Sequence, residues 1–196
     1  MQEITSQTAY FSQPGDENTL RVFEMTLQRV KALQVNTLLV ATTTGKTAAL
    51  AARFFKDCKV IAVTHSAGFQ YENLLELQPE HRDHILQAGG QILTCQHAFG
   101  GINRAIRYKL GAYQVDEVIA YTLRLFGQGM KVVVETALMA ADSGLVRTDQ
   151  PVISIGGTCH GADTAVALLP ANAQNFFDLK ILEVICLPSP HHPAFK

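Results

Sequence analysis

The chain has 196 residues and a mass of 21.4 kDa, which fits a single domain over residues 1–196 and excludes a large multidomain assembly. Hydrophobic residues make up 47% and charged residues 17% of the chain, so the composition predicts a globular protein and excludes a disordered one. The formal net charge of -1 leaves no overall basic field, which argues against nucleic acid and anionic membranes as partners.

The first half of the chain alternates between strand-like and helical patterns. Residues 37–41 read TLLVA, a continuous apolar run typical of a strand that is covered on both faces. In chain order, the pattern predicts a helix after the turn at residues 14–16, a strand at 37–41, a helix at 46–56, a strand at 60–63, a helix after Pro79 and a strand at 91–94.

The second half is helical first and strand-like later. Residues 103–145 have a mostly helical pattern, in which Gly127 and Gly129 mark a break between two helices. Strand patterns follow without helices of useful length between them, which predicts antiparallel pairing: residues 152–155, 164–169 and 181–187. The fold class predicted is α/β, a three-layer α/β/α sandwich around a mostly parallel sheet with an antiparallel edge.

Targeting and metal-binding signals are not found in the sequence. The stretch before Arg21 is polar, unlike a secretory signal, and the most apolar helical candidate contains Glu135 and is shorter than the ~20 residues of a membrane span. His81 and His84 lack a third ligand nearby, so no metal site is predicted. The cysteines form no CxxC pair, which fits a reducing compartment and predicts a cytoplasmic protein: Cys58, Cys95, Cys159 and Cys186.

A polar turn between the first buried strand and its helix predicts an anion site. Free backbone amides and the positive end of the helix dipole favour an anion there. Helix capping needs only one such side chain, so three consecutive threonines favour an anion site. The alternative is that the threonines only cap the helix and that the lysine is a solvated surface charge. A Walker A loop would need glycine where Val40 stands, so an NTPase is disfavoured. The predicted phosphate-binding residues are Thr42, Thr43, Thr44, Gly45, Lys46 and Thr47.

Three further loops follow predicted strands. The Gly-rich loop at residues 156–161 is predicted to converge with the phosphate loop on one sheet edge, where open α/β sheets bind ligands, and His65 is expected beside the phosphate loop. Each has a structural alternative: His65 as a hydrogen-bonded structural residue, Phe99 in the core with Arg104 in a surface ion pair, and the last loop as a tight turn. No carboxylate follows His65 at a spacing that would orient it as a base, so no catalytic residue is assigned. The predicted ligand contacts are His65, Phe69, Phe99, Gly100, Gly101, Asn103, Arg104, Gly156, Gly157, Thr158, His160 and Gly161.

Several segments resemble a known family. The run VATTTGKTAALAARFF followed by VIAVTH is similar to the strand, phosphate loop, helix and next strand of the pyruvate kinase C-terminal domain. The segments PGDENT, HAFGGINRA, LRLFGQGMK, ALMAADSGLVRT and VISIGGTCHGADTA resemble stand-alone archaeal and bacterial proteins built on that domain alone. The resemblance implies the three-layer fold and a pocket that in pyruvate kinase holds a sugar bisphosphate effector. It does not imply pyruvate kinase catalysis, which belongs to a barrel domain.

For the stand-alone family, the resemblance implies flavin mononucleotide (FMN) as the ligand, with its phosphate on residues 42–47. It also implies a possible homo-oligomer, because pyruvate kinase domains of this type make subunit contacts. Where the family tends toward Gly-Arg in its last Gly-rich loop, this chain has Cys159 and His160, a weaker and pH-dependent donor. Two alternatives stay open: a flavin-dependent oxidoreductase with His160 or His65 as proton donor, and a sugar phosphate sensor or isomerase-like domain.

Overall fold

A computed structural model describes residues 1–195 and contains a seven-stranded sheet. The strands are β1 Ala9–Phe11, β2 Thr37–Ala41, β3 Lys59–Thr64, β4 Gln91–Thr94, β5 Val152–Gly156, β6 Thr164–Leu169 and β7 Lys180–Pro188. The helices are α1 Thr19–Leu33, α2 Lys46–Phe54, α3 Pro79–Gln87, α4 Ile102–Leu110, α5 Val115–Leu123 and α6 Gln128–Asp142. The strand order across the sheet is β1-β7-β6-β5-β2-β3-β4.

The sheet is mostly parallel, as predicted. β2 pairs in parallel with β3 and β5, and β3 pairs in parallel with β4. The antiparallel pairing predicted for the late strands is confirmed, because β6 runs antiparallel to both β5 and β7. β1 then pairs in parallel with β7 and completes that side of the sheet. This first strand was not predicted, because three residues are too few to show a strand period.

The two faces of the sheet are covered by separate helical layers. Successive residues of a strand point to opposite faces, and β2 illustrates this: Val40 packs in one core cluster with Ala48 of α2, while Leu39 packs in the other with Val133 of α6. All four side chains are fully buried. The predicted three-layer α/β/α sandwich is confirmed. No helix within residues 1–195 is both long and apolar enough to cross a membrane.

Residues 103–145 contain three helices instead of the two predicted. The additional break is at Gly111, which takes the left-handed conformation at φ 70° and ends α4. The amide of Gln114 then donates to Glu117 Oε2 at 3.2 Å, which helps α5 to begin. The predicted break at Gly127 is confirmed, since this residue has φ 110° and precedes α6.

The order of the central strands reverses at β2, as it does in other open α/β sheets. From β2 the chain proceeds to β3 and β4 on one side, whereas β5 lies on the other side of β2. The carboxyl ends of these four parallel strands lie at one edge of the sheet, and ligands bind outside that edge where the strand order reverses. The loops predicted to bind a ligand follow these four strands.

Candidate functional site

The turn between β2 and α2 is held by its own residues. The hydroxyl of Thr42, which is 8% exposed, accepts a hydrogen bond from the amide of Gly45 at 3.1 Å. Gly45 adopts φ 93°, and a Cβ atom there would lie 2.6 Å from Leu77 Cδ1 and 2.7 Å from His81 Cβ. Only glycine fits this position, since the conformation and the space both exclude a side chain.

The amides around this turn are open at the start of α2. Among residues 1–195, the amides of Thr43, Thr44, Lys46 and Thr47 have no acceptor from the backbone or from a side chain. Thr44 and Lys46 are exposed, and Thr43 and Thr47 are half-buried. The turn therefore presents unpaired donors at the positive end of a nine-residue helix, where an anion is stabilised.

The start of α3 packs against the same turn. The amide of Gln78 donates to the carbonyl of Thr44 at 3.0 Å, and His81 is half-buried against Gly45. From the sequence, His81 is expected on a solvated helix face. Its position beside the turn depends on the packing of two helices, which the sequence pattern did not indicate.

Three side chains from the loops after β3 and β4 and one from the first turn of α4 form a stacked cluster, namely His65, Phe69, His97 and Arg104. The ring of Phe69 lies 4.0 Å from that of His65 and 4.7 Å from that of His97, and the Arg104 guanidinium carbon lies 4.5 Å from the Phe69 centroid. Gly100 leaves room for this arginine, because a Cβ there would lie 2.9 Å from its Nη2. The structure thus brings together His65, Phe69 and Arg104, three of the predicted ligand contacts.

A carboxylate does orient His65, contrary to the sequence analysis. His65 Nδ1 lies 2.8 Å from Glu76 Oε2. This glutamate is 11 residues further along the chain and follows an irregular loop, so no regular spacing signalled it. The pair fixes the ring of His65 and its tautomer at the edge of the stacked cluster.

A buried ionic group lies under the cluster. Glu135, only 4% exposed, accepts hydrogen bonds from the amide of Phe99 at 3.0 Å and from Lys131, and its Oε2 lies 3.5 Å from His97 Nδ1. Burial alone would raise the pKa of Glu135, but the hydrogen bond with His97 and the charge of Lys131 outweigh burial and bring the pKa to about 2. The buried carboxylate is therefore ionised and neutralised by its neighbours.

The remaining residues of the loop after β4 lie around this group. Phe99 is 7% exposed and meets Phe176 edge-on at a centroid distance of 5.9 Å. Gly101 lies against Gln96, and Asn103 is half-buried in the first turn of α4.

The loop after β5 is closed against the N-terminal segment. Asp163 is fully buried, and its Oδ2 accepts hydrogen bonds from the amides of Gly15 at 3.1 Å and Thr158 at 2.9 Å. A Cβ on Gly161 would lie 2.3 Å from Asp16 Cα, so the two segments touch.

The glycines that begin this loop also make close contacts. Gly156 faces α6, where a Cβ would lie 3.0 Å from Val132 Cγ1, and Gly157 lies against the carbonyl of Gly161. Cys159, at φ 63°, and His160 are exposed at its tip. Of the predicted contacts in this loop, His160 is the most accessible side chain.

The cysteines differ in their exposure. All four cysteines are free; Cys186 is buried, Cys159 is exposed, and Cys58 and Cys95 are intermediate. Burial raises the pKa of the Cys186 thiol to about 12. Within residues 1–195, histidine, cysteine, aspartate and glutamate side chains form no group of three that could hold a metal ion.

A mostly parallel sheet between two helical layers, with its loops gathered at the carboxyl edge, defines an open α/β domain. The family model described as the alpha/beta domain of pyruvate kinase matches residues 21–168. The chain belongs to this family, and the resemblance to the pyruvate kinase C-terminal domain is confirmed.

Solved pyruvate kinases from Cryptosporidium parvum are among the similar structures. One shares 16% sequence identity over 76% of this chain and 22% of its own, with a TM-score of 0.38. Another, in complex with ADP, shares 16% over 83% of this chain and 22% of its own, with a TM-score of 0.37. The chain therefore spans about a fifth of the length of these enzymes.

Proposed function

We propose that this chain is a binding domain for a phosphorylated small molecule and that the turn at residues 42–47 holds the phosphate. The observation that carries the proposal is the set of unpaired amides at the start of α2, beside the point where the strand order reverses. Thr42 and Gly45 bond to each other within the turn, so the amide donors for a ligand are those of Thr43, Thr44, Lys46 and Thr47.

The turn offers a phosphate both oriented hydrogen-bond donors and a positive charge. The amides of Thr43, Thr44, Lys46 and Thr47 supply donors whose geometry is fixed by the closed turn. Each hydrogen bond to a charged group contributes ~1.5–3 kcal/mol. Lys46 adds a positive charge that can pair with a dianion. Because Lys46 is exposed, water solvates its ammonium group when no ligand is bound.

FMN is the first ligand to test, and its phosphate and its flavin ring need different kinds of contact. The single phosphate suits the turn. The flavin ring has no free aromatic face among the predicted contacts, because Arg104 and the two histidines surround Phe69, and Phe99 is buried. Flavin binding therefore requires Arg104 to leave Phe69, so that the ring can replace the guanidinium on that face.

Calorimetric titration with FMN, riboflavin and inorganic phosphate tests the proposal. FMN and phosphate are expected to bind, and riboflavin, which lacks the phosphate, is expected to bind far more weakly. The Lys46→Gln variant should weaken FMN binding about 10-fold or more, in line with one charge-assisted hydrogen bond. Lys56→Gln is the matched control, because Lys56 is also exposed but follows the opposite end of α2.

Failure of both FMN and phosphate to bind at millimolar concentration would overturn the anion site. Binding of phosphate without FMN would remove the flavin and keep the anion site. Bleaching of bound FMN by NAD(P)H would extend the function to a flavin-dependent oxidoreductase. A sugar bisphosphate that raises the melting temperature more than FMN at equal concentration would indicate a sugar phosphate sensor.

A further inference from the structure

A polar cavity lies on the face of the sheet opposite to the one that α2 covers. It has a volume of about 310 Å³ and opens between α4, α5 and the start of α6. α6 packs in the core cluster opposite the one that contains α2, so this cavity and the turn at residues 42–47 are built by different helical layers. Four cations line the cavity: Arg104, Arg107, Arg124 and Lys131.

The protein neutralises only part of this charge. Arg107 pairs with Glu117 at 2.9 Å, and Lys131 pairs with Glu135. Within residues 1–195, Arg104 and Arg124 have no carboxylate partner. Two guanidinium groups without a carboxylate partner therefore line one concave space, and their combined positive potential attracts an anion.

The cations also repel each other across the cavity. Burial lowers the pKa of Lys131, and the positive charges of Arg124 and Arg104 lower it further, although Glu135 opposes this. The two arginines thus lie close enough to disfavour the charge on a lysine that is 9% exposed. An anion in the cavity would relieve this repulsion, which adds to the attraction that it gains directly.

Both unpaired arginines are held in place before a ligand arrives. Arg104 stacks on Phe69, and Arg124 Nε donates to Gln128 Oε1 at 2.8 Å while its guanidinium lies 5.3 Å from the ring of Tyr121. A planar guanidinium that is already oriented loses less conformational entropy when it binds oxygen atoms in pairs.

We propose that this cavity binds a small polyanion, a molecule with two or more phosphate or carboxylate groups, through Arg104 and Arg124. The volume is at the lower end of the range for ligand pockets, so the ligand is compact. Two anionic groups match two unpaired guanidinium groups, and a guanidinium recognises phosphate and carboxylate with the same paired geometry. This site is distinct from the phosphate-binding turn and does not rest on it, but it shares Arg104 with the stacked cluster at which a flavin ring would bind.

Calorimetry with pyrophosphate, citrate and inorganic phosphate at constant ionic strength tests the site. Pyrophosphate or citrate is expected to bind more tightly than phosphate, and the tighter of the two identifies the anionic group. Arg104→Gln and Arg124→Gln should each weaken binding about 10-fold or more. Arg147→Gln is the matched control, because it removes the same charge from an exposed pair with Asp149 outside the cavity.

The separate site at residues 42–47 provides the second control. Lys46→Gln should leave pyrophosphate or citrate binding unchanged. If Lys46→Gln abolishes binding and the two arginine variants do not, the polyanion occupies the turn and the cavity proposal fails, while the phosphate-binding function stands. Equal binding by wild type and both arginine variants, or no binding by pyrophosphate and citrate at all, also overturns it. Circular dichroism of each variant shows whether a loss reflects unfolding.

Discussion

Glu135 lies on α6 among buried apolar residues, where a carboxylate would be costly without partners. Its partners are Lys131, His97 and the amide of Phe99. Replacing Glu135 with glutamine leaves a buried ammonium without a counter-charge. We expect Glu135→Gln to lower the free energy of unfolding by about 3 kcal/mol, measured by urea denaturation.

The control for this loss is Glu24→Gln. Glu24 pairs with Arg21, but both side chains are more than half exposed, so the change should cost less than about 1 kcal/mol. Equal costs for the two variants would contradict a special role for the buried pair.

The same carboxylate gives the protein an acid-sensitive component of stability. The folded pKa of Glu135 is about 2, below its ordinary value of 4.5, so the folded state binds its proton less readily than the unfolded chain. The stabilisation is therefore complete above pH 4.5 and is lost as the pH falls toward 2. We expect the stability difference between wild type and Glu135→Gln to shrink over this interval in urea titrations. A constant difference would contradict the assignment.

At the scale of single residues, the sequence revealed the turn but not the ionic partners. The turn was predictable because its threonines, its glycine and the helix start are adjacent in the chain. Thr42 and Gly45 were predicted to contact phosphate, and the sequence did not indicate that they bond to each other inside the turn. The partners of His65 and His97 are Glu76 and Glu135, which are 11 and 38 residues away in sequence. Pairs of this kind depend on tertiary packing, which local spacing does not encode.

α6 approaches β6 closely enough that one helix residue has to be glycine. A Cβ on Gly129 would lie 2.0 Å from Thr164 Oγ1 and 2.5 Å from its Cβ, and Thr164 is fully buried. Alanine would favour the helix by ~1 kcal/mol, but the overlap forces α6 away from the sheet. We expect Gly129→Ala to be destabilising by roughly 1–3 kcal/mol, seen as a lower melting temperature.

The neighbouring Gln128→Ala variant is the control for this element. Gln128 is exposed at the same end of α6, so its replacement should change the melting temperature little. An unchanged or raised melting temperature for Gly129→Ala would contradict this prediction, because it would show that α6 can move away from β6 without loss of stability.

At the scale of elements, continuous apolar runs and glycine breaks predicted most boundaries. The strands Gln91–Thr94 and Thr164–Leu169 match the predicted ranges, because both are bounded by turns with clear composition. The break at Gly111 was missed, since the flanking residues keep a helical pattern. Ala9–Phe11 was missed because its conformation depends on pairing with a distant strand.

The whole sheet ends in a short strand that covers β7. β1 pairs with residues from Cys186 to Pro188, and the hydroxyl of Thr8 donates to the carbonyl of Val184 at 2.8 Å. An uncovered strand edge recruits other chains. We expect removal of residues 1–12 to expose β7 and to cause self-association, measured by light scattering at several concentrations.

Removal of residues 1–6 is the matched control, because it shortens the same segment and leaves β1 in place. This shorter deletion should behave like the full chain. If the longer deletion stays at the same size as the full chain at every concentration, the covering role of β1 is contradicted.

At the scale of the molecule, composition and the alternation of strands and helices were sufficient to predict the fold class and its three layers. The buried run TLLVA predicted a strand covered on both faces, and Leu39 and Val40 do pack in opposite core clusters. The position of β7 between β6 and β1 could not be predicted, because hydrophobic pattern carries no information on which strands become neighbours.

The hydrogen bond between Thr8 and Val184 joins residues 176 positions apart, which affects the order in which the sheet can form during translation. During translation, the N-terminal strand leaves the ribosome long before β7 has been synthesised. Until β7 has been synthesised, β1 has no partner strand, because β7 is its only neighbour in the seven-stranded sheet of residues 1–195. The pairing of β1 with β7 therefore forms late, after most of the sheet has already been synthesised.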